Sequence, residues 1–283
     1  MTSSAVVFGS QGRFARSLIS ELNNCKSYGY DEFMSRPFGL NSEKLEALDA
    51  YWTFGSGSQY GSNLFGEIPA LEKFLKILQK KKIAISSFSY LSSGGRIYGE
   101  KILPASEDAS LTPISTYAKN KLHCEQLVME EVSRYVEQIR IYRLANAYTL
   151  DVNNRYPKGL IESLFASGLS GKYMKINVNG ESRRQYGSHS DYIRIILSIS
   201  KLVPVKDEKI LNVFNIYPPY DLSINEIILE VSEAFNVEPR QLVSFVDEDM
   251  FSDSLILTSN FEPIWQKNHL WSNLRSNILR ALA

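Results

Sequence analysis

Tyr117-Ala118-Lys119-Asn120-Lys121 sets a phenol and an ammonium four residues apart, on one face of any helix that carries them. A lysine charge beside a phenol favours the phenolate and lowers the tyrosine pKa toward the working range. Such a pair passes a proton to or from a carbonyl or hydroxyl. With 16 Tyr and 17 Lys among 283 residues, chance alone supplies about one pair at this spacing, so its surroundings must decide. A second motif, Gly9-Ser10-Gln11-Gly12-Arg13-Phe14-Ala15, follows the apolar run Ala5-Val6-Val7-Phe8. Glycines at such a point let the backbone turn tightly and approach a pyrophosphate, whose charge sits at the following helix N-terminus. The spacing is G-x-x-G-x-x-A, and by itself a glycine turn after a strand is ordinary punctuation about as often as a phosphate site.

Both motifs need a scaffold, and the hydrophobic pattern supplies one. Ala5 to Phe8 predicts a buried strand, and Phe14, Leu18, Ile19 and Leu22 follow at helical spacing. Weaker strand character runs over Tyr30 to Met34, stronger over Ala50 to Phe54, where the chain enters Gly55-Ser56-Gly57. Leu71, Phe74, Leu75 and Leu78 mark a helix, Phe88 to Leu91 a strand, Ser115 to about Glu137 a long helix, and Ile139 to Tyr142 another strand. This alternation implies a Rossmann-type, doubly wound parallel sheet with right-handed crossovers. Beyond 150 the rhythm loosens. A helix is expected near Lys158–Gly168, a strand at Asn212–Tyr217, and a helix opened by the capping-box spacing Ser223…Glu226 with Ile224, Ile227, Ile228, Val231 and Phe235 on one stripe. A last helix carries Leu270, Leu274 and Ile278. The expected division is a dinucleotide-binding domain over 1–150, to which 188–217 returns, and a smaller C-terminal α/β substrate domain from 151–187 and 218–283.

Composition narrows the classes. Apolar residues make up 44% and charged residues 22% of the chain, ordinary for a globular enzyme and wrong for a disordered chain. Lys+Arg and Asp+Glu are both 31, so the zero net charge gives no footprint for nucleic acid or an acidic membrane. Two cysteines, Cys25 and Cys124, make no disulfide framework and point to a reducing compartment, with the cytoplasm as the default. No signal-peptide pattern or 18-residue apolar run is present. His123, His189 and His269 are too scattered for a metal site, although His189 lies near the Arg184 segment. Lys80-Lys81-Lys82 suits the negative end of a helix dipole. Cys124, Trp265 and Trp271 are expected to serve packing.

The order of motifs along the chain is more telling than any one of them. Upstream of Tyr117 a strand runs into Ser92-Ser93-Gly94-Gly95-Arg96-Ile97-Tyr98-Gly99; downstream come Arg143-Leu144-Ala145-Asn146-Ala147-Tyr148, Gly180-Glu181-Ser182-Arg183-Arg184-Gln185-Tyr186 and Ser190-Asp191-Tyr192. This series resembles the extended short-chain dehydrogenase/reductases, in particular the nucleotide-sugar epimerase/dehydratase/reductase group, over nearly the whole chain. The resemblance implies that Gly9, Gln11, Gly12, Arg13, Phe14 and Ala15 cradle a dinucleotide, with Gly55 and Ser56 at the end of the third strand against it. Tyr117 would be the catalytic acid/base, and Lys121 its partner, also holding the nicotinamide ribose. Asn146 would contact the sugar nucleotide, and Arg184 would clamp its diphosphate as a guanidinium fork suits paired phosphate oxygens. A homodimer built through the Leu71–Leu78 and Tyr117 helices is a further implication.

The chain departs from the family pattern at three points. Gly94 stands four residues before Tyr98, where the family places Ser or Thr, so that hydrogen-bonding role falls to Ser93 or is absent. Gly95 and Arg96 replace the acidic pair that the group's dehydratases use to eliminate water, and Arg96 stands where a two-base 3,5-epimerase/reductase carries Cys. An acidic residue at the end of the second strand would bind the adenosine ribose; with that end placed at Ser35-Arg36 and Asp31 and Glu32 earlier in the strand, NADP(H) is favoured over NAD(H), Arg13 assisting. The expected function is NADP(H)-dependent reduction of a nucleotide-linked 4-keto(-6-deoxy) sugar, with hydride added at C4 and Tyr117 as proton donor. An NAD-dependent nucleotide-sugar 4-epimerase is the alternative. A binding or regulatory protein that keeps the fold without turnover is the rival from another class.

Overall fold

In the computed structural model, residues 5–35, 48–55, 66–81, 85–99, 104–154, 157–176, 179–202, 210–245, 254–260 and 271–283 are described. In chain order the first elements are β1 (Ala5–Phe8), α1 (Arg13–Glu21), β2 (Cys25–Tyr28), α2 (Tyr30–Ser35), β3 (Leu48–Trp52) and α3 (Glu67–Lys81). β4 (Ile85–Ser93), α4 (Gly94–Ile97), α5 (Thr116–Glu130), β5 (Val136–Leu144) and β6 (Asn146–Tyr148) follow. Then come α6 (Leu160–Ser170), β7 (Met174–Ile176), β8 (Arg183–Arg184), β9 (Tyr186–Ser188), α7 (His189–Leu202) and β10 (Ile210–Ile216). β11 (Leu222–Ser223), α8 (Ile224–Phe235), α9 (Pro239–Leu242), β12 (Val243–Phe245) and α10 (Leu274–Leu282) complete the order.

The chain divides into two compact units: 1–99, 110–144 and 193–216 form the first, and 100–109, 145–192 and 217–283 the second. The first unit is built on a six-stranded, wholly parallel sheet in the order β10-β5-β4-β3-β1-β2. Strand order reverses between β1 and β3, the switch point where ligands of open α/β sheets sit beyond the carboxyl ends of the strands. Those two ends carry Gly9 and Gly55. They rest on an aromatic cluster in which Trp52 lies 5.3 Å from Phe8, 5.0 Å from Phe54 and 5.5 Å from Phe74, ring centre to ring centre. Edge-to-face and tilted packing of this kind holds the strand ends more firmly than area alone would.

Two expected elements are corrected. The second strand is Cys25–Tyr28, not Tyr30–Met34, and the latter stretch lies in the helix α2. Tyr30, Phe33 and Met34 are spaced for a helix, and Asp31 and Glu32 occupy its first turn, where carboxylates suit the dipole. β2 is an edge strand of half-buried and exposed residues, so no apolar run announces it. The long helix ends at Glu130 rather than near Glu137, because a 3-10 turn at Val132–Arg134 hands the chain to β5 at Val136.

The second unit packs α6, α8 and α10 around Ile161, Leu164, Ile227, Val231, Leu274 and Ile278, with β6·β9, β7·β12 and β8·β11 as short pairs. α8 begins with the expected capping box: Ser223 Oγ accepts from Glu226 N at 3.1 Å, and Glu226 Oε2 accepts from Ser223 N at 2.7 Å. Trp271 packs edge-on against Tyr192 at 5.2 Å, as expected of a packing residue, whereas Trp265, Leu270 and His269 lie outside the described residues. No described helix is long and apolar enough to cross a membrane.

Candidate active site

Gly9 ends β1 with φ +102°, a backbone that side-chain-bearing residues rarely adopt. A Cβ there would sit 2.6 Å from Thr53 Oγ1 and 2.9 Å from Phe54 N. The turn is pinned from both sides: Gly9 N donates to Tyr28 O at 2.9 Å, and Thr53 N donates to Phe8 O at 2.9 Å. Gly12 then caps α1 without a side-chain acceptor, and the first turn of α1 holds no acidic residue. The positive end of the helix dipole is left for an outside anion, so this turn fits the pyrophosphate of a dinucleotide. Gln11 lies over Gly29, Arg13 is half-buried, and Phe14 is a core residue. Ser35 falls at the far end of α2, seven residues beyond the end of β2; Arg36 and Ser56 lie outside the described residues.

Across the sheet, Ser93 closes β4 and Tyr117 stands in the first turn of α5, where Ser115 Oγ caps the helix by accepting from Ala118 N at 3.2 Å. The fold brings the Ser93 side chain to the Tyr117 phenol, where it favours the phenolate, and Lys121 follows one turn along. Lys121 is fully buried, its Nζ 2.9 Å from Leu91 O, 3.4 Å from Phe54 O and 2.9 Å from Glu67 Oε1. Glu67 is equally buried and also accepts from the Tyr90 hydroxyl at 3.0 Å.

Electrostatics correct one expectation. The Tyr117 pKa lies above the ordinary phenol value, not below it. Burial raises it most; the Lys121 charge lowers it, the Glu67 charge raises it, and the Ser93 hydrogen bond lowers it. Burial pushes the Lys121 ammonium down, but the Glu67 charge and hydrogen bond, joined by the Tyr117 and Cys124 groups, together outweigh that and hold it charged above its usual range. Cys124, packed on the same helix, is pushed up to about 12 by burial, which makes it an inert core thiol.

Sequence inspection missed Glu67, although a signal was present. Residues 67, 71, 74, 75 and 78 share one helix stripe, so a carboxylate stands in phase with the buried leucines and phenylalanine. A buried carboxylate demands a partner. Gly55 answers to the same residue: at φ +77°, a Cβ on it would lie 2.0 Å from Glu67 Oε2. Gly55→Ala is expected to cost at least about 1–2 kcal/mol for the left-handed backbone alone, and to displace Glu67 from Lys121. The midpoint of urea unfolding checks it.

In the second unit, Asn146 lies on β6 and Arg184 on β8, one residue before the Gln185 that Asn146 meets. Asn146 Nδ2 and its backbone N both donate to Gln185 O at 3.1 Å, and β6 pairs with β9 through Asn146 and Tyr186. Arg184 is half-buried; its neighbour Arg183 is engaged with Asp221 and, at 3.2 Å, with Glu226. His189 opens α7 half-buried and His123 is exposed on α5, and no metal-binding cluster occurs among the described residues.

A family model for the NAD dependent epimerase/dehydratase family matches residues 54–216. That stretch holds Glu67, Ser93, Tyr117, Lys121, Asn146 and Arg184, but not the Gly9 turn. Among curated proteins, an Arabidopsis thaliana trifunctional UDP-glucose 4,6-dehydratase/UDP-4-keto-6-deoxy-D-glucose 3,5-epimerase/UDP-4-keto-L-rhamnose-reductase is 25% identical over 206 residues, covering 71% of this chain and 29% of that protein. The chain thus spans less than a third of the length of the curated relatives it matches. Among solved structures, MoeE5 in complex with UDP-glucose and NAD superposes with a TM-score of 0.76 at 17% identity, covering 98% of this chain and 96% of that one. A mutant Bacillus cereus UDP-glucuronic acid 4-epimerase in complex with a fluorinated UDP-sugar and NAD gives 0.75 at 17% identity, over 98% and 97%. A Bacillus anthracis dTDP-glucose 4,6-dehydratase in complex with NAD gives 0.71 at 13% identity, over 99% and 95%. At these identities the likeness to solved structures is one of fold.

Proposed function

The chain belongs to the NAD dependent epimerase/dehydratase family, and from that premise we propose that it reduces a nucleotide-linked 4-keto sugar, of the 4-keto-6-deoxyhexose class. The observation that carries this reading is a phenol with a serine side chain beside it, one helical turn from a buried ammonium. When bound, a reduced nicotinamide dinucleotide supplies the hydride that becomes the new C–H bond at C4. Tyr117 gives its hydroxyl proton to the former carbonyl oxygen, so the ketone ends as an alcohol. Ser93 orients that hydroxyl, and the Lys121 charge offsets the charge left on the phenolate. Gly9, Gln11, Gly12, Arg13, Phe14 and Gly55 are proposed to hold the dinucleotide, and Asn146 and Arg184 the nucleotide diphosphate of the sugar.

The chemistry named for the Arabidopsis relatives narrows the choice. Their three activities are dehydration, 3,5-epimerisation and reduction of a 4-keto sugar. In the family pattern the first needs an acidic pair where this chain has Gly95 and Arg96, and the second needs Cys where Arg96 stands. Reduction asks for nothing beyond Ser93, Tyr117 and Lys121.

The shortened second strand alters the cofactor preference. With β2 ending at Tyr28, the first charged residues beyond it are Asp31 and Glu32, both exposed, and not Ser35 and Arg36. Carboxylates there oppose a 2′-phosphate and suit free ribose hydroxyls. NAD(H) is therefore proposed in place of the NADP(H) expected above. NADH is expected to exceed NADPH in kcat/KM by about tenfold or more, since like charges brought together cost several kcal/mol.

The test is nicotinamide absorbance on mixing the protein with NADH or NADPH and a panel of nucleotide-linked 4-keto-6-deoxysugars. Stoichiometric loss of the reduced cofactor with one panel member supports the reductase and identifies its nucleotide. No net loss with any ketosugar, together with interconversion of nucleotide-hexoses, overturns it in favour of a 4-epimerase. A homodimer through α3 and α5 is carried in the same proposal, and a monomeric sedimentation profile would remove it.

A further inference from the structure

The lysine of the proton-transfer pair is already engaged. Its contacts with Glu67 Oε1 at 2.9 Å, Leu91 O at 2.9 Å and Phe54 O at 3.4 Å account for all three N–H donors of an ammonium. The ion-paired side chains are 2% and 3% exposed, so solvent ions screen the pair little. Glu67 is held for the task from several directions. The Tyr90 hydroxyl donates to the same carboxylate oxygen at 3.0 Å. The carboxylate belongs to the first turn of α3, where the helix dipole favours negative charge. The missing side chain of Gly55 leaves the room that Oε2 occupies.

We propose that Glu67 is a positioning residue that tunes the acid: its carboxylate, paired with Lys121, offsets part of the ammonium's pull on Tyr117 and, with burial, keeps the phenol a proton donor. This rests on the assignment of Tyr117 as the acid in the reading above. A cycle that begins by oxidising an alcohol needs a base, because the O–H proton must leave as hydride departs from carbon. A cycle that begins by reducing a ketone needs the phenol: hydride from the reduced nicotinamide forms the C–H bond, the C=O π pair takes the Tyr117 proton, and the phenolate regains a proton from water. The Lys121 charge pulls toward the first; burial and the Glu67–Lys121 pair shift the balance toward the second. The raised Tyr117 pKa, to which burial contributes most and the Glu67 charge adds against the Lys121 charge, is in keeping with this.

The pair also bridges α3 and α5, and a purely mechanical bridge would leave the ionisation of Tyr117 where it is. Tyrosinate absorbance, titrated on the intact protein and differenced against Tyr117→Phe, isolates that one phenol. The wild-type transition is expected above the free-phenol value of about 10. Glu67→Gln is expected to lower it by about one pH unit or more, a tenfold change in ionisation constant, and to move the alkaline limb of the pH–rate profile for ketosugar reduction equally. Glu67→Asp, which keeps a carboxylate, is expected to restore most of the shift. An unmoved transition in Glu67→Gln overturns the proposal. If that variant does not fold, the wild type decides: a Tyr117 transition below about 10 overturns the proposal, and one above it supports it. The titration needs no substrate. A shifted transition in a protein that reduces no ketosugar would sustain the coupling of Glu67, Lys121 and Tyr117 while sinking the reductase reading.

Discussion

Tyr117→Phe is expected to slow ketosugar reduction by about 10²–10⁴-fold in kcat, the range supplied by a positioned general acid. That is about 2.7–5.4 kcal/mol of transition-state stabilisation. The substitution removes one oxygen, leaves the ring volume unchanged and forfeits at most the interaction with Ser93. A neutral hydrogen bond contributes about 0.5–1.5 kcal/mol to stability, so the loss of rate should far outrun any loss of fold, and the unfolding midpoint should move little. Stopped-flow nicotinamide absorbance on both proteins is the measurement. Unchanged turnover would remove Tyr117 from the role of proton donor. The pH profile adds a sign. Because the Tyr117 pKa is raised, the protonated donor predominates throughout neutral and mildly alkaline pH. Reduction should therefore be flat there and fall only as pH rises through the raised value, while the reverse oxidation, which needs the phenolate, should climb over the same interval.

The parts of the molecule legible in the sequence were those whose physics is local. Ala5 to Phe8 reads as a buried strand because all four residues are buried between two neighbours in the sheet. The Tyr117–Lys121 spacing reads as one helix face because only helical geometry matters to it. Edge strand β2 did not read, since Cys25-Lys26-Ser27-Tyr28 is held by pairing with β1, a contact made twenty residues away in the chain. That one slip displaced Ser35 from a strand end to a helix end and carried the cofactor preference with it. Glu67 was hidden for a related reason. Its partner Lys121 lies 54 residues downstream, and the stripe that buries it was read only for its apolar members. Both of these misses are long-range pairings, whereas the overrun of α5 was a local 3-10 turn read as more helix; each success is a periodicity or a turn.

The second large effect concerns such a pairing, between Arg143 and Glu125. The guanidinium donates from Nη2 to Glu125 Oε2 at 2.8 Å and from Nε to both carboxylate oxygens at 3.2 Å. Its Nη1 donates to the Tyr98 hydroxyl at 2.9 Å, which in turn donates to Asn215 Oδ1 at 2.7 Å. The ion-paired side chains are 4% and 0% exposed. Glu125→Ala would strand a buried guanidinium, and about 3–5 kcal/mol of stability should be lost, a large part of the 5–15 kcal/mol that typically holds a folded protein together. Glu125→Leu combined with Arg143→Met removes both charges and should recover most of it. Urea unfolding of the single and double variants separates these outcomes, and a Glu125→Ala protein as stable as wild type would refute the assignment. Because Arg143 opens the segment that runs on to Asn146, it stands where a substrate-binding cation is easily imagined. Its partners say otherwise. Glu125 lies one turn beyond Lys121 on α5, so Arg143 fastens to β5 the helix that carries the proton donor, and its charge is committed to holding Tyr117 and Lys121 in place.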